Sequence, residues 1–266
     1  MKISELINLI EKLYKKDLAM DFDNSGANII TMDSNIKNIL ICLDITDEAV
    51  EYAIKNDVNM IISHHPVIFS KFKNILCDSF SNKIKKLISY DISAYSVHTN
   101  FDAEKTHGMG KIVVDQFDLY GNIKSEVPIE MIGDNGDGLG RFIILDNPVS
   151  ITTLKNKLIN NFHIKQYFVR YYSRHLKDDA FIKKLAIMPG SGRSNVQDVI
   201  KLGADMYVSA DLSHHDILDL YENDISYMDA THYGLERLFI YYMNDFLKNI
   251  ITDKSINIYK FENKDF

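Results

Sequence analysis

The stretch NILICLDITDEAVEYAIKNDVNMIISHHP, residues 38–66, decides the fold. NILICLDIT is an almost unbroken apolar run, the pattern of a strand covered on both faces. Thr46 then stands where an N-cap belongs, and Asp47 and Glu48 open the helix DEAVEYAIKN with charges that complement its dipole. VNMIIS repeats the buried-strand pattern and runs straight into His64 and His65. Strand, helix and second buried strand imply a parallel pair joined by a crossover, hence an α/β protein with helices on the sheet faces. Asp44 and the two histidines fall at strand C-termini, where open α/β sheets place their ligands.

Outward from this unit the same grammar continues. Residues 3–16 carry Ile3, Leu6, Ile7, Ile10, Leu13 and Tyr14 at helical spacing, and DFDNSGAN (21–28) reads as a polar turn. NKIKKLIS (82–89) predicts a helix, and DISAYSV (91–97) predicts a third buried strand that ends at His98. Residues 125–180 read as a smaller α/β insertion: GLGRFIILDNPVS as turn and strand, ITTLKNKLINNF as helix, IKQYFVRYY as strand. From 183 the opening pattern returns, with strands KKLAIM, ADMYVSAD and ISYMDA, helices NVQDVIKL and HHDILDLYEN, and a long closing helix over 232–250. The expected division is residues 1–124 plus 228–266 as a first α/β domain and 125–227 as a second, both with mostly parallel sheets.

The chain has 266 residues, 46% apolar and 25% charged, enough to bury a substantial core. Its net charge of -7 does not suit a phosphate backbone, so nucleic acid is not an expected partner. Charges every few positions in the first twenty residues leave no signal-peptide or membrane-spanning segment, and a cytoplasmic location with no membrane partner is expected. Cys42 and Cys77 form neither a disulfide framework nor a CxxC pair, so any metal would be held by nitrogen and oxygen.

His64 and His65 are adjacent on an extended segment, where successive side chains diverge, which suits two metals better than one. Alone, such a pair more often faces solvent. Asp102 lies four residues beyond His98, either as a ligand or as the N-cap of a helix starting near Ala103. His232 and Glu236 are i and i+4 on one helix turn, a surface pair in isolation but also one imidazole and one potentially bridging carboxylate. Together the three clusters supply His64, His65, Asp102, His232 and Glu236, a donor set for zinc, iron, manganese, nickel or cobalt. Five ligands shared by two ions leave positions open for water, the pattern of hydrolytic sites. Asp44 and His98 are then placed to orient ligands or move protons. In SADLSHH, Asp211 and His215 either face the same crevice or cap the next helix. PGSGR (189–193) is a tight turn or a phosphate loop. The aromatic and basic stretch 162–172 is a base-stacking surface or a subunit contact.

DFDNSGAN, LDIT, SHHPVIF, VHTNFDA, GLGR, PGSGR, SADLSHH and DATHYGLER, in that order, resemble the Ngg-interacting-factor-three-like family, which carries the name GTP cyclohydrolase 1 type 2 homologue. The resemblance covers nearly the whole chain and the family's short form. It implies two interlinked three-layer α/β domains with a dinuclear metal site between them, and a toroidal homohexamer built as a trimer of dimers. The ligands it implies are again His64, His65, Asp102, His232 and Glu236, binding two divalent ions per subunit. The chain departs from the family at Phe22, where Trp is usual; at Thr231, where Gly is usual; and at Ser209-Ala210, where Thr-Gly is usual. The expected function is metal-dependent hydrolysis of a small phosphorylated or nucleotide-like substrate, assisted by Asp44, His98 or His215. The alternative is a non-enzymatic regulatory or metal-handling hexamer.

Overall fold

Every residue of MIIS and SAYS is buried, as strands at the middle of a doubly covered sheet must be. A computed structural model of the chain describes residues 1–165, 170–173 and 180–263 and divides them into two compact units. The first holds Met1–Phe101 and the described residues from Phe239 on; the second holds Asp102–Leu238.

The first unit contains α1 (Ile3–Leu13), β1 (Gly26–Ile29), β2 (Asn38–Cys42), α2 (Asp47–Lys55), β3 (Met60–Ser63), α3 (Ser79–Ser89) and β4 (Ser93–Ser96). Its sheet runs β1-β4-β3-β2 and is completed by a late strand, β13 (Asn257–Phe261). The β2–β3 and β3–β4 pairs are parallel, with Ile41 opposite Ile62 and Ile62 opposite Tyr95. Thr46 caps α2 by accepting from the Ala49 amide at 3.2 Å, as the sequence predicts. Residues 26–28, read as part of a turn, form with Ile29 an antiparallel edge strand on β4, with Gly26 at φ 110. The first helix stops at Leu13, three residues early, and Lys16–Leu18 form a 3-10 turn.

A short helix, α4 (Thr99–Ala103), carries the chain across the boundary between the units, which falls at Phe101/Asp102. The second unit then contains α5 (Met109–Gln116), β5 (Ile123–Val127), the hairpin β6 (Glu130–Ile132) and β7 (Asp137–Leu139), β8 (Arg141–Ser150) and α6 (Ile151–Asn161). It continues with β9 (Arg170–Tyr172), β10 (Phe181–Ser191), α7 (Val196–Leu202), β11 (Met206–Ala210), α8 (His214–Glu222), β12 (Ser226–Asp229) and α9 (His232–Glu236). Its sheet order is β5-β8-β10-β11-β12-β9. The central β10–β11 and β11–β12 pairs are parallel, and antiparallel strands flank them. In the stretch read as a strand over 164–172, residues 166–169 lie outside the described residues; 170–172 are β9. Both α5 and α9 pack against β10, so the second unit begins earlier than residue 125 and ends later than 227.

The closing helix is interrupted at Arg237: α9 ends at Glu236 and α10 (Leu238–Ile250) follows. β13 (Asn257–Phe261) then pairs in parallel with β2 in the first unit. Among the described residues no helix is long and apolar enough to cross a membrane.

Candidate metal centre

In the first unit, β3 delivers His64 and His65 at its C-terminal end, and β4 delivers His98 two residues past its own. The backbone bends after Ser63, whose hydroxyl donates to the His65 carbonyl at 2.8 Å. The bend defeats the alternation expected of an extended segment. Both imidazoles join His98 in one cluster, each offering a donor atom within 4.8 Å of the others. Ring centroids are 5.0 Å apart for His64–His65, 5.2 Å for His64–His98 and 5.3 Å for His65–His98. Phe101 and Phe239 pack on the His64 ring and leave it fully buried.

Each of these rings has its Nδ1 committed. His64 Nδ1 meets the Val97 carbonyl at 2.8 Å, His65 Nδ1 meets Asp44 Oδ1 at 2.8 Å, and His98 Nδ1 meets Asp23 Oδ1 at 2.7 Å. A carbonyl and an ionised carboxylate only accept, so each Nδ1 donates and Nε2 is the ring atom that can ligate a metal. Such an Nδ1 contact fixes ring orientation and raises ligand basicity in a metal-binding imidazole.

Asp23 was read only as part of a turn. Its carboxylate also accepts from the Thr99 amide at 3.2 Å, the Thr99 hydroxyl at 2.6 Å and the Ser25 hydroxyl. Burial alone would raise its pKa. The hydrogen bond and charge of His98, with Ser25 and Thr99, outweigh that and hold the carboxyl well below the usual carboxylate range. A buried Asp three residues into DFDNSGAN was visible in the sequence; its partner, 75 residues away, was not.

In the second unit, α9 presents His232 and Glu236 one turn apart, with His232 Nε2 2.9 Å from Glu236 Oε2. Two donors bound to one ion at about 2.1 Å with a right angle between them stand about 3 Å apart, so this spacing fits a shared ion. His232 Nδ1 meets Asp211 Oδ2 at 2.6 Å, which repeats the wiring of the other three histidines. Asp211 therefore orients a histidine and does not cap α8. The cap is Ser213, which accepts from the Asp216 amide while Asp216 accepts from the Ser213 amide. His215 is exposed in the first turn of α8, its ring 5.5 Å from that of His214. Asp229, at the end of β12, is pushed above its ordinary value by burial, against the Thr231 amide and Arg170, with Asp211 adding to the rise.

Asp102 lies inside α4, as its fourth residue, so the N-cap reading fails. Gly190 has a role the sequence did not disclose. At φ 67, a Cβ there would collide with Glu236 Oε1 and stand 3.1 Å from Glu236 Cδ and 3.4 Å from His232 Nε2. The PGSGR segment, read as a tight turn or a phosphate loop, continues strand β10 as far as Ser191. It ends β10 with a bare backbone against which the Glu236 carboxylate lies.

Each cluster by itself has the chemistry for a divalent metal: three imidazoles oriented through Nδ1 in the first unit, and in the second an imidazole with a carboxylate at chelating distance against a glycine cradle. Comparison with known proteins agrees. The Duf34/NIF3 (NGG1p interacting factor 3) family model matches residues 1–265. A Clostridium acetobutylicum protein named GTP cyclohydrolase 1 type 2 homolog is 31% identical over 263 residues, covering 97% of this chain and 93% of its own. One of the same name from Methanocaldococcus jannaschii is 32% identical, covering 97% and 99%. Among solved structures, reduced HcgD from Methanocaldococcus jannaschii superposes with a TM-score of 0.82 at 28% identity, covering 99% of this chain and 98% of that one. Staphylococcus aureus hypothetical protein SA1388 gives 0.82 at 26%, covering 99% and 97%. The chain belongs to the Duf34/NIF3 family.

Proposed function

We propose that His64, His65 and Asp102 combine with His232 and Glu236 to hold two divalent ions, and that the protein is a metal-dependent hydrolase acting on a small phosphorylated or nucleotide-like substrate. The observation that carries the reading is the common wiring of four histidines, each with Nδ1 bound by an acceptor and Nε2 turned to a donor role. Chain connectivity supports it as well: the backbone passes between the two units at Phe101/Asp102 and Leu238/Phe239, so Asp102 and Glu236 each lie within three residues of a crossing.

When bound, such ions supply Lewis acidity toward a phosphoryl or carbonyl oxygen and lower the pKa of water. The chain's own residues do the rest. Asp44, Asp211 and Asp23 hold the imidazoles of His65, His232 and His98 in one tautomer and one orientation. His98, with its Nδ1 proton shared with Asp23, is the group placed to carry a proton at Nε2, with Asp44 and His215 as the other candidates for proton transfer. The name of the Clostridium acetobutylicum relative makes GTP-like compounds the first substrates to try. The assembly is a cytoplasmic toroidal hexamer, a trimer of dimers, giving in light scattering a mass near six times the 30.6 kDa chain.

The test is a hydrolysis screen of nucleotides and phosphodiesters, run with and without chelator, on wild type and His65→Ala. Turnover that chelator abolishes and His65→Ala lacks, with the oligomer intact, is the expected result. Full metal loading without turnover of any substrate would instead favour a regulatory or metal-handling role.

A further inference from the structure

Beside the histidine cluster of the first unit, two phenyl rings stand out in solvent: Phe22 is 63% exposed and Phe69 is 50% exposed. Their centroids are 6.5 Å apart with planes tilted by 52°, which forms an open aromatic notch. Phe69 meets the His98 ring edge-on at 6.2 Å, so the notch adjoins a member of the histidine cluster.

The loops that carry the rings are pinned. Phe22 directly precedes Asp23, whose carboxylate is bound by His98, Thr99, Ser25 and the Asn24 amide. The Asn24 side chain donates to the Ile68 carbonyl at 2.5 Å, and Asn28 Oδ1 accepts from the Ile68 amide at 3.3 Å, tying the two loops together. At 63% and 50% exposure the two rings leave in water about half of the roughly 150–250 Å² that an aromatic side chain can bury, apolar area that a ligand could cover. A stable protein partner needs about 800 Å² per side, far more than two half-exposed rings offer. One flat ring of a small molecule is the occupant of matching size.

We propose that Phe22 and Phe69 form a stacking platform for a planar heteroaromatic ring, held on the His98 side of the metal cluster. This rests on the hydrolase reading for its substrate and adds an orientation: the ring lies over Phe22 and Phe69, which leaves the scissile group to reach the imidazoles. Flat π-faces stack on aromatic side chains whatever the edge chemistry of the ring, so the platform selects for an aromatic ring without choosing among bases.

The chain contains no tryptophan, so Phe22→Trp places a single fluorophore in the platform. Adenosine 5′-monophosphate should quench its emission saturably, and ribose 5-phosphate should not. Adding Phe69→Ala should weaken the nucleotide titration roughly five- to a hundredfold, the loss expected for one stacking contact. Calorimetry on Phe22→Leu, which keeps apolarity but loses the flat face, should show the same weakening without a fluorophore. Absence of quenching, equal quenching by both probes, or indifference to Phe69→Ala overturns the platform. So does emission that shifts with protein concentration alone, because that would show a second copy covering the rings. Chelator-sensitive hydrolysis measured on the same samples separates the two proposals: activity without quenching sinks the platform only, and quenching without activity sinks the hydrolase only.

Discussion

Asp44, Asp23 and Asp211 each accept a hydrogen bond from the Nδ1 of a histidine, and these three contacts decide what the imidazoles can do. Removing such a carboxylate from a metal-binding histidine costs about 10- to 100-fold in metal affinity. Asp44→Ala and Asp211→Ala should therefore each show that loss in a competitive chelator titration while the fold stays intact. Gly190→Ala should do more damage, because the new Cβ strikes the Glu236 carboxylate and φ 67 disfavours any side chain. Metal retention should fall at least as far as in Asp211→Ala, with a stability loss of about 1–3 kcal/mol. Gly192→Ala is the control: its Cβ would strike the Tyr207 and Ser209 hydroxyls, so it should lower the melting temperature and spare metal binding. For Asp23 the folded-state pKa is depressed, so its stabilising contribution is present at neutral pH and is lost as pH falls below the unfolded value of about 4. Asp23→Asn should be less stable than wild type in urea at pH 7, the gap narrowing as pH falls below 4. The five proposed ligands could be picked out in the sequence because imidazoles and carboxylates at strand ends are conspicuous. Asp23 and Gly190 could not, since one acts through a residue 75 positions away and the other through the side chain it lacks.

At the level of elements, the buried strands and capped helices were legible wherever the pattern was local. Residues 38–63 fold as β2, α2 and β3, because continuous apolar runs and a Thr cap leave few alternatives. The failures are elements whose stability comes from partners distant in sequence. β1 contains a Gly at φ 110 and forms only by pairing with β4, and β13 is only partly buried and forms by pairing with β2 more than 200 residues earlier. The break between α9 and α10 falls at Arg237, with no proline there and Gly234 three residues earlier, inside α9. Thr231 shows how strain enters at this scale. It caps α9 by accepting from the Gly234 amide at 3.0 Å, yet sits at φ 59, where a β-branched residue is rare. Thr231→Ala keeps the strain and loses the cap, and should cost about 1 kcal/mol. Thr231→Gly loses the cap but relieves the backbone, and should be more stable than Thr231→Ala in thermal unfolding.

For the whole molecule, the sequence divides into two α/β parts, and the structure draws the boundary by packing: α5 and α9 go with β10, and α10 and β13 return to the first sheet. Composition could not place that boundary, because no Gly- or Pro-rich linker marks it. The account depends on two ions held jointly by residues that are far apart in the chain. Metal stoichiometry tests this most directly: apo-protein is loaded with manganese or zinc, dialysed, and assayed for metal per chain in wild type, His65→Ala and Glu236→Gln. Two ions per chain in wild type, with occupancy reduced in both variants, is the predicted result. Wild type that retains no metal, or variants that retain as much as wild type, would contradict the account.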